Sequence, residues 1–111
     1  MVIFFYTKKT AIILTDITYL YYGEDRELFY LCVFKDAFTT EILGYALDTQ
    51  IMVDLVKKAY ENMMDKHRDE FKKNVEYYIH SDQGSQYLAC NYMQMIKNNG
   101  FIQSMSERGN S

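Results

Sequence analysis

The chain has 111 residues, the size of a single domain or of part of one. Apolar residues make up 49% of it and charged residues 24%, a balance typical of a folded globular protein and not of a disordered one. The net charge of −3 argues against a dedicated DNA-binding module with a basic face. It does not exclude a domain that acts on nucleic acid while other segments hold it.

The membrane and secreted classes are also disfavoured. The longest apolar run, residues 1–6, is too short to span a bilayer and has no basic segment before it, so neither a membrane span nor a secretory signal is predicted. Cys32 and Cys90 show no CxxC or CxxH spacing, which disfavours a zinc knuckle or a disulfide scaffold. We interpret both as buried thiols of a reduced, cytoplasmic protein.

The first half of the chain is typical of β-structure. Strands are predicted over residues 11–22, 27–34 and 39–47, which are rich in β-branched and aromatic residues and separated by short polar gaps. The second segment is almost entirely apolar, as expected of a central strand covered on both faces. The short gaps predict an antiparallel meander.

The second half alternates helices with short strands. Apolar residues at three- and four-residue steps predict an amphipathic helix over residues 50–66, followed by a charged connection in which His67 is expected to face solvent. A strand over residues 75–80 precedes a second helix that ends before Gly100, and a last strand covers residues 101–105. The order β-β-β-α-β-α-β predicts an α/β fold with a mixed sheet and helices packed on it.

Two aspartates occupy unusual positions in this pattern. Asp16 lies within an apolar strand, and Asp82 ends another strand abruptly just before Gly84. If these strands are neighbours, the carboxylates converge, and two close carboxylates favour a cation between them, most simply Mg²⁺. Phosphoryl transfer with two metal ions needs this arrangement. The spacing alone also fits a strand-edge Asp16 and an Asp82 that caps a helix or an Asx-turn.

The sequence motifs around the two aspartates resemble those of a known protein family. TDITY at residues 15–19 and HSDQGSQY at residues 80–87 resemble the two aspartate signatures of bacterial insertion-sequence transposases with a retroviral-integrase-type (DDE) core. The segments FYL at 29–31, KDAF at 35–38, ILGY at 42–45, SMS at 104–106 and GN at 109–110 resemble other parts of that core in the same order. The specificity of HSDQGSQY disfavours a host ribonuclease H of the same fold.

The resemblance implies a ribonuclease-H-like fold with strand order 3-2-1-4-5. Asp16 would bridge two Mg²⁺ or Mn²⁺ ions and Asp82 would hold one of them, for nicking of transposon ends and attack of a 3′-hydroxyl on target DNA. Hydroxyl and amide groups after Asp82 would suit contacts to the DNA backbone: Gln83, Ser85, Gln86 and Tyr87. Capping of the following helix is an equally good account of Ser85. Three interpretations of His80 remain: it contacts a metal ligand without binding the metal, it binds the metal itself, or it has a structural role at the strand end.

The sequence also departs from the family pattern. The family's catalytic glutamate belongs further along than residue 111, so residues 1–111 are interpreted as one incomplete core domain whose last catalytic helix is missing. Glu107 comes too early to match that glutamate. We therefore carry two hypotheses: a metal-dependent transposase core fragment that is expected to be inactive alone, and a catalytically silent module that binds partners. An uncovered sheet face would favour a homodimer.

Overall fold

The computed structural model describes residues 9–106. The apolar run at residues 1–6, Glu107 and the GN pair at 109–110 lie outside the described residues. The elements in chain order are β1 (Lys9–Tyr22), β2 (Glu27–Asp36), β3 (Ile42–Asp48), α1 (Val53–His67), a 3-10 turn (Arg68–Glu70), β4 (Val75–Ser81), α2 (Ser85–Leu88), α3 (Cys90–Asn98) and β5 (Ile102–Met105).

The five strands form one mixed sheet. Its order is β3-β2-β1-β4-β5, with β1 antiparallel to β2, β2 antiparallel to β3, and both β4 contacts parallel. The predicted meander, the mixed sheet and the order 3-2-1-4-5 are therefore confirmed. Since β4 returns parallel to β1 after helix α1, the strand that carries Asp16 and the strand that directly precedes Asp82 are neighbours in the sheet.

The helices pack on one face of this sheet. Helix α1 places six buried side chains against β2 and β3, at the three- and four-residue steps expected of an amphipathic helix. The buried core consists of Ile13, Cys32, Phe34, Leu43, Leu55, Val56, Ala59, Tyr60, Met63, Met64, Ile79, Tyr87, Tyr92, Ile96 and Phe101. Within residues 9–106, no helix is long and apolar enough to cross a membrane.

The opposite face of the sheet is less covered than the sequence predicted. Strand β2 was expected to be covered on both faces, but Leu31 and Val33 are only half-buried, whereas Cys32 and Phe34 on the helix side are fully buried. Ile12 and Ile102 are 48% and 38% exposed. The apolar composition of β2 could not reveal this, because it records hydrophobicity and not which neighbours are present to cover it.

Three local predictions need correction. Helix α1 begins at Val53 and not at residue 50, because Met52 has an extended backbone (φ −133°, ψ 167°). The His67 side chain is only 16% exposed, and its Nδ1 lies 3.0 Å from Glu70 Oε1, so it is not the solvent-facing residue expected. Cys90 is exposed at the start of α3, and only Cys32 is a buried thiol.

The second predicted helix is divided into α2 and α3. Ala89 between them is extended (φ −65°, ψ 133°). Tyr87 and Tyr92 are five residues apart, so one continuous helix would direct them about 140° apart. The break at Ala89 lets both rings enter the same core, where their centroids lie 5.6 Å apart.

Candidate active site

The structure brings Asp16 and Asp82 together at one rim of the sheet. The parallel register of β1 and β4 ends with the pair of Leu14 and His80, and each aspartate follows its member of that pair by two residues. Adjacent strands are about 4.8 Å apart, and residues two apart share a face. Both aspartates accordingly line one open cleft of about 410 Å³.

Each carboxylate has one oxygen engaged and one oxygen without a protein partner among residues 9–106. The backbone N–H of Ile17 donates to Asp16 Oδ1 at 2.9 Å, and that of Gly84 donates to Asp82 Oδ1 at 2.9 Å. The second contact is the Asx-turn that the sequence left as an alternative for Asp82. Because the turn uses only Oδ1, it orients the carboxylate and leaves Oδ2 able to bind a cation.

A lysine that the sequence analysis missed also lines the cleft. Lys35 on β2 is level with Leu14, two residue pairs from Asp16 along the sheet, and is half-buried. Among residues 9–106 it forms no ion pair with either aspartate. In the sequence, Lys35 is noticeable only as a charged residue near the end of an apolar strand. Its proximity to Asp82 follows from the order of the strands in the sheet.

His80 is held by two serines. Its Nδ1 lies 2.8 Å from Ser104 Oγ and its Nε2 lies 2.9 Å from Ser106 Oγ. With both ring nitrogens engaged, neither is free to bind a metal ion. The arrangement favours the structural interpretation of His80, which joins the end of β4 to β5 and to the residue that follows it.

The four residues predicted to face DNA are not equivalent. Gln83 and Ser85 are exposed and Gln86 is half-buried, so their side chains remain accessible from solvent. Ser85 is the first residue of α2 and does not cap it, since the N-cap residue is Gly84 and no side-chain cap bond is present. Tyr87 is only 2% exposed, so its inclusion among the DNA contacts was wrong: the aromatic ring is a core residue.

Two carboxylates, those of Asp16 and Asp82, line the described part of the cleft. Within residues 9–106, no group of three or more His, Cys, Asp or Glu side chains is arranged to hold a metal ion. Asp16 and Asp82 therefore offer a pair of carboxylate oxygens on an open surface, with Lys35 and Ser106 at its margins.

The matched family model is the integrase core domain, over residues 7–111. The chain belongs to the integrase core domain family. Among curated proteins it is similar to the protein named as transposase InsK of insertion sequence element IS150 from Escherichia coli (strain K12), at 35% identity over 81 residues. It is also similar to the transposase for insertion sequence element IS904 from Lactococcus lactis subsp. lactis (strain IL1403), at 30% identity over 108 residues.

These similarities cover most of this integrase core domain but only part of each relative. The matches include 73% and 97% of this chain, and 27% and 40% of the IS150 and IS904 proteins. Among solved structures, the HTLV-2 integrase catalytic core domain in complex with magnesium (trimeric form) matches with a TM-score of 0.69 at 14% identity. That match covers 89% of this chain and 61% of the HTLV-2 chain, and it confirms the fold.

Proposed function

We propose that this chain is the catalytic core of a DNA transposase and that Asp16 and Asp82 together bind Mg²⁺ or Mn²⁺. The observation that carries the proposal is the shared cleft, in which the aspartates of the two signatures each keep one carboxylate oxygen without a protein partner among residues 9–106. The family relationship supports it, because the relatives bear the name transposase and the HTLV-2 core was solved with magnesium.

The residues present fit a divalent cation. Mg²⁺ is commonly bound by one or two carboxylates and completes its coordination with water and substrate phosphate oxygens. When bound, such an ion lowers the pKa of an attacking water or hydroxyl and stabilises the leaving oxygen. A second ion would need a further acidic ligand, and residues 9–106 do not supply one, so this part of the chain forms an incomplete two-metal site.

The proposed substrates are transposon-end and target DNA. In nicking, a water oxygen bonds to phosphorus while the bond to the 3′-oxygen breaks, which leaves a free 3′-hydroxyl. In strand transfer, that hydroxyl oxygen bonds to a target phosphorus while the target's own 3′-oxygen leaves, so one phosphodiester replaces another. Lys35 would neutralise a phosphate at the cleft margin, and the exposed Gln83 and Ser85, with the half-buried Gln86, would contact the DNA backbone.

A second candidate function is a silent module that binds DNA or a second copy without chemistry. Among residues 9–106, Asp16 and Asp82 have no third acidic residue beside them, which favours this second function. Loss of one member of a cooperating catalytic set lowers the reaction rate by orders of magnitude. The exposed Ile12 and Ile102 favour self-association through the uncovered sheet face. A strictly monomeric species in sedimentation at tens of micromolar would contradict that association.

Metal binding is tested by titrating Mn²⁺ and following paramagnetic broadening of amide signals. Broadening should centre on Asp16 and Asp82 and disappear in Asp16→Asn and Asp82→Asn. Asp48→Asn is the matched control, because it makes the same charge change at a half-buried carboxylate that is paired with Lys58 and lies outside the cleft. Equal Mn²⁺ binding by all four proteins would refute the proposed site.

Activity is tested separately with a DNA hairpin in Mn²⁺. Nicking that disappears in Asp82→Asn supports the transposase core and refutes the silent module. Mn²⁺ binding without any cleavage supports the silent module for these 111 residues.

A further inference from the structure

The loop that carries Asp82 lies beyond the regular part of the sheet. Strand β4 ends at Ser81, and the last pair of the β1–β4 ladder is Leu14 with His80. Helix α2, which follows the loop, has four residues and no side-chain cap. The β4–β5 ladder reaches Ser81, which pairs with Met105 and accepts a bond from the Ser106 backbone N–H at 2.9 Å. Asp82 itself has no ladder partner among the described residues, so contacts outside the ladders also fix its position beside Asp16.

Tyr87 supplies such contacts from helix α2, which follows the loop. Its hydroxyl lies 3.1 Å from Thr15 Oγ1 and 3.9 Å from Cys32 Sγ. Its carbonyl oxygen accepts a bond from Gln103 Nε2 at 2.8 Å. Tyr87 therefore connects the segment after Asp82 to both β1 and β5.

The contact with Thr15 lies deep in the protein. Tyr87 and Thr15 are 2% and 5% exposed, so water does not replace the bond if one hydroxyl is removed. Burial raises the pKa of the Tyr87 hydroxyl, which keeps it protonated and able to donate to Thr15. Thr15 directly precedes Asp16, so the bond joins the two stretches of backbone that carry the two carboxylates.

We infer that Tyr87 is a positioning residue, whose hydroxyl bond to Thr15 fixes the Asp82 loop against the strand that carries Asp16. The metal-related part of this inference rests on the proposed function. The structural part does not, because the Gly84 amide that donates to Asp82 Oδ1 reports the position of the carboxylate without any metal.

Tyr92 provides a matched control. It is 1% exposed and packs edge-on against Tyr87, yet its hydroxyl has no hydrogen-bond partner among the described residues. Tyr87→Phe and Tyr92→Phe thus remove the same atom from neighbouring buried rings, and only the first removes hydrogen-bond contacts, those with Thr15 and Cys32. A general effect of losing a buried hydroxyl would appear in both variants.

The first measurement is solvent exchange of the Gly84 amide by NMR. We expect Tyr87→Phe to speed exchange about fivefold, the change that corresponds to one neutral hydrogen bond, and Tyr92→Phe to leave it unchanged. Thr15→Val should reproduce Tyr87→Phe, and the double variant should add little, because both changes remove one shared bond. Thr15→Ser keeps a hydroxyl and should restore wild-type exchange.

The second measurement is the Mn²⁺ dissociation constant of the same variants. It should rise about fivefold in Tyr87→Phe and stay unchanged in Tyr92→Phe. If the wild-type protein binds no Mn²⁺, the proposed function fails while Gly84 exchange still tests the positioning role. If Tyr87→Phe matches Tyr92→Phe in Gly84 exchange, the positioning role itself is overturned. Should either phenylalanine variant unfold, the comparison of Thr15→Val with Thr15→Ser decides the question.

Discussion

Gly44 marks a close approach of helix α1 to the sheet, and its replacement by alanine makes a sharp test of this packing. A Cβ at this position would lie 2.5 Å from the backbone nitrogen of Met63 and 2.7 Å from its Cα and Cβ, well inside the ordinary contact distance of 3.4 Å. Two of these three atoms belong to the helix backbone. The clash therefore cannot be relieved by a side-chain rotation, and helix α1 must move away from β3.

The cost follows from what that movement disturbs. Helix α1 buries six side chains against the sheet, and the Tyr45 backbone N–H donates to Asn62 Oδ1 on the helix at 3.0 Å. Overpacking of this kind costs about 1–3 kcal/mol, and loss of the Asn62 bond adds about 1 kcal/mol. We expect Gly44→Ala to lower the free energy of unfolding by about 2–4 kcal/mol and Tm by at least about 8 °C.

Thermal and urea unfolding followed by circular dichroism measure this change. Gly84→Ala is the control: its nearest neighbours are the flexible Gln86 side chain and the Asp82 carboxylate, and its φ of −58° suits alanine. Its unfolding free energy should stay within about 0.5 kcal/mol of wild type. Met63→Ala should not rescue Gly44→Ala, because the clashing atoms remain. A Tm for Gly44→Ala within about 2 °C of wild type would refute the packing argument.

Three further predictions concern charge and thiol chemistry. Lys35→Met should weaken DNA binding about equally for all sequences and reduce its salt dependence by about one ion, measured by fluorescence anisotropy; an unchanged slope would exclude a phosphate contact. Burial raises the pKa of Cys32 to about 11, so a thiol reagent at pH 8 should modify only the exposed Cys90 until the protein is denatured, and two fast thiols in the native protein would contradict this. Backbone N–H groups of Thr39 and Phe38 hold the pKa of Asp36 below its usual value. The stability that these bonds supply is present above the unfolded-state pKa of about 3.9 and is lost as pH falls through the folded-state value. Asp36→Asn should therefore flatten the curve of unfolding free energy against pH in acid. An unaltered curve would show that this carboxylate is not involved.

Much of the fold was predictable from local pattern. The three- and four-residue spacing of apolar residues located helix α1 to within three residues, and the polar gaps located the strands. These features are local because the backbone geometry of helices and strands imposes its period on neighbouring residues. The sequence motifs around Asp16 and Asp82 also indicated the family. Through that resemblance they indicated the sheet order and the position of the acidic pair, without any knowledge of tertiary contacts.

Other features of the site depend on contacts between distant residues. Lys35 joins the cleft only because β2 lies beside β1, and Tyr87 and Tyr92 share the core because the break at Ala89 separates α2 from α3. His80 is occupied because β5 brings Ser104 alongside β4. Sequence thus determined which elements form, that Asp16 lies within a strand and that Asp82 follows one, since these features depend on neighbouring residues. Packing between segments far apart in the chain decided which polar side chains reach solvent and which hold the others in position.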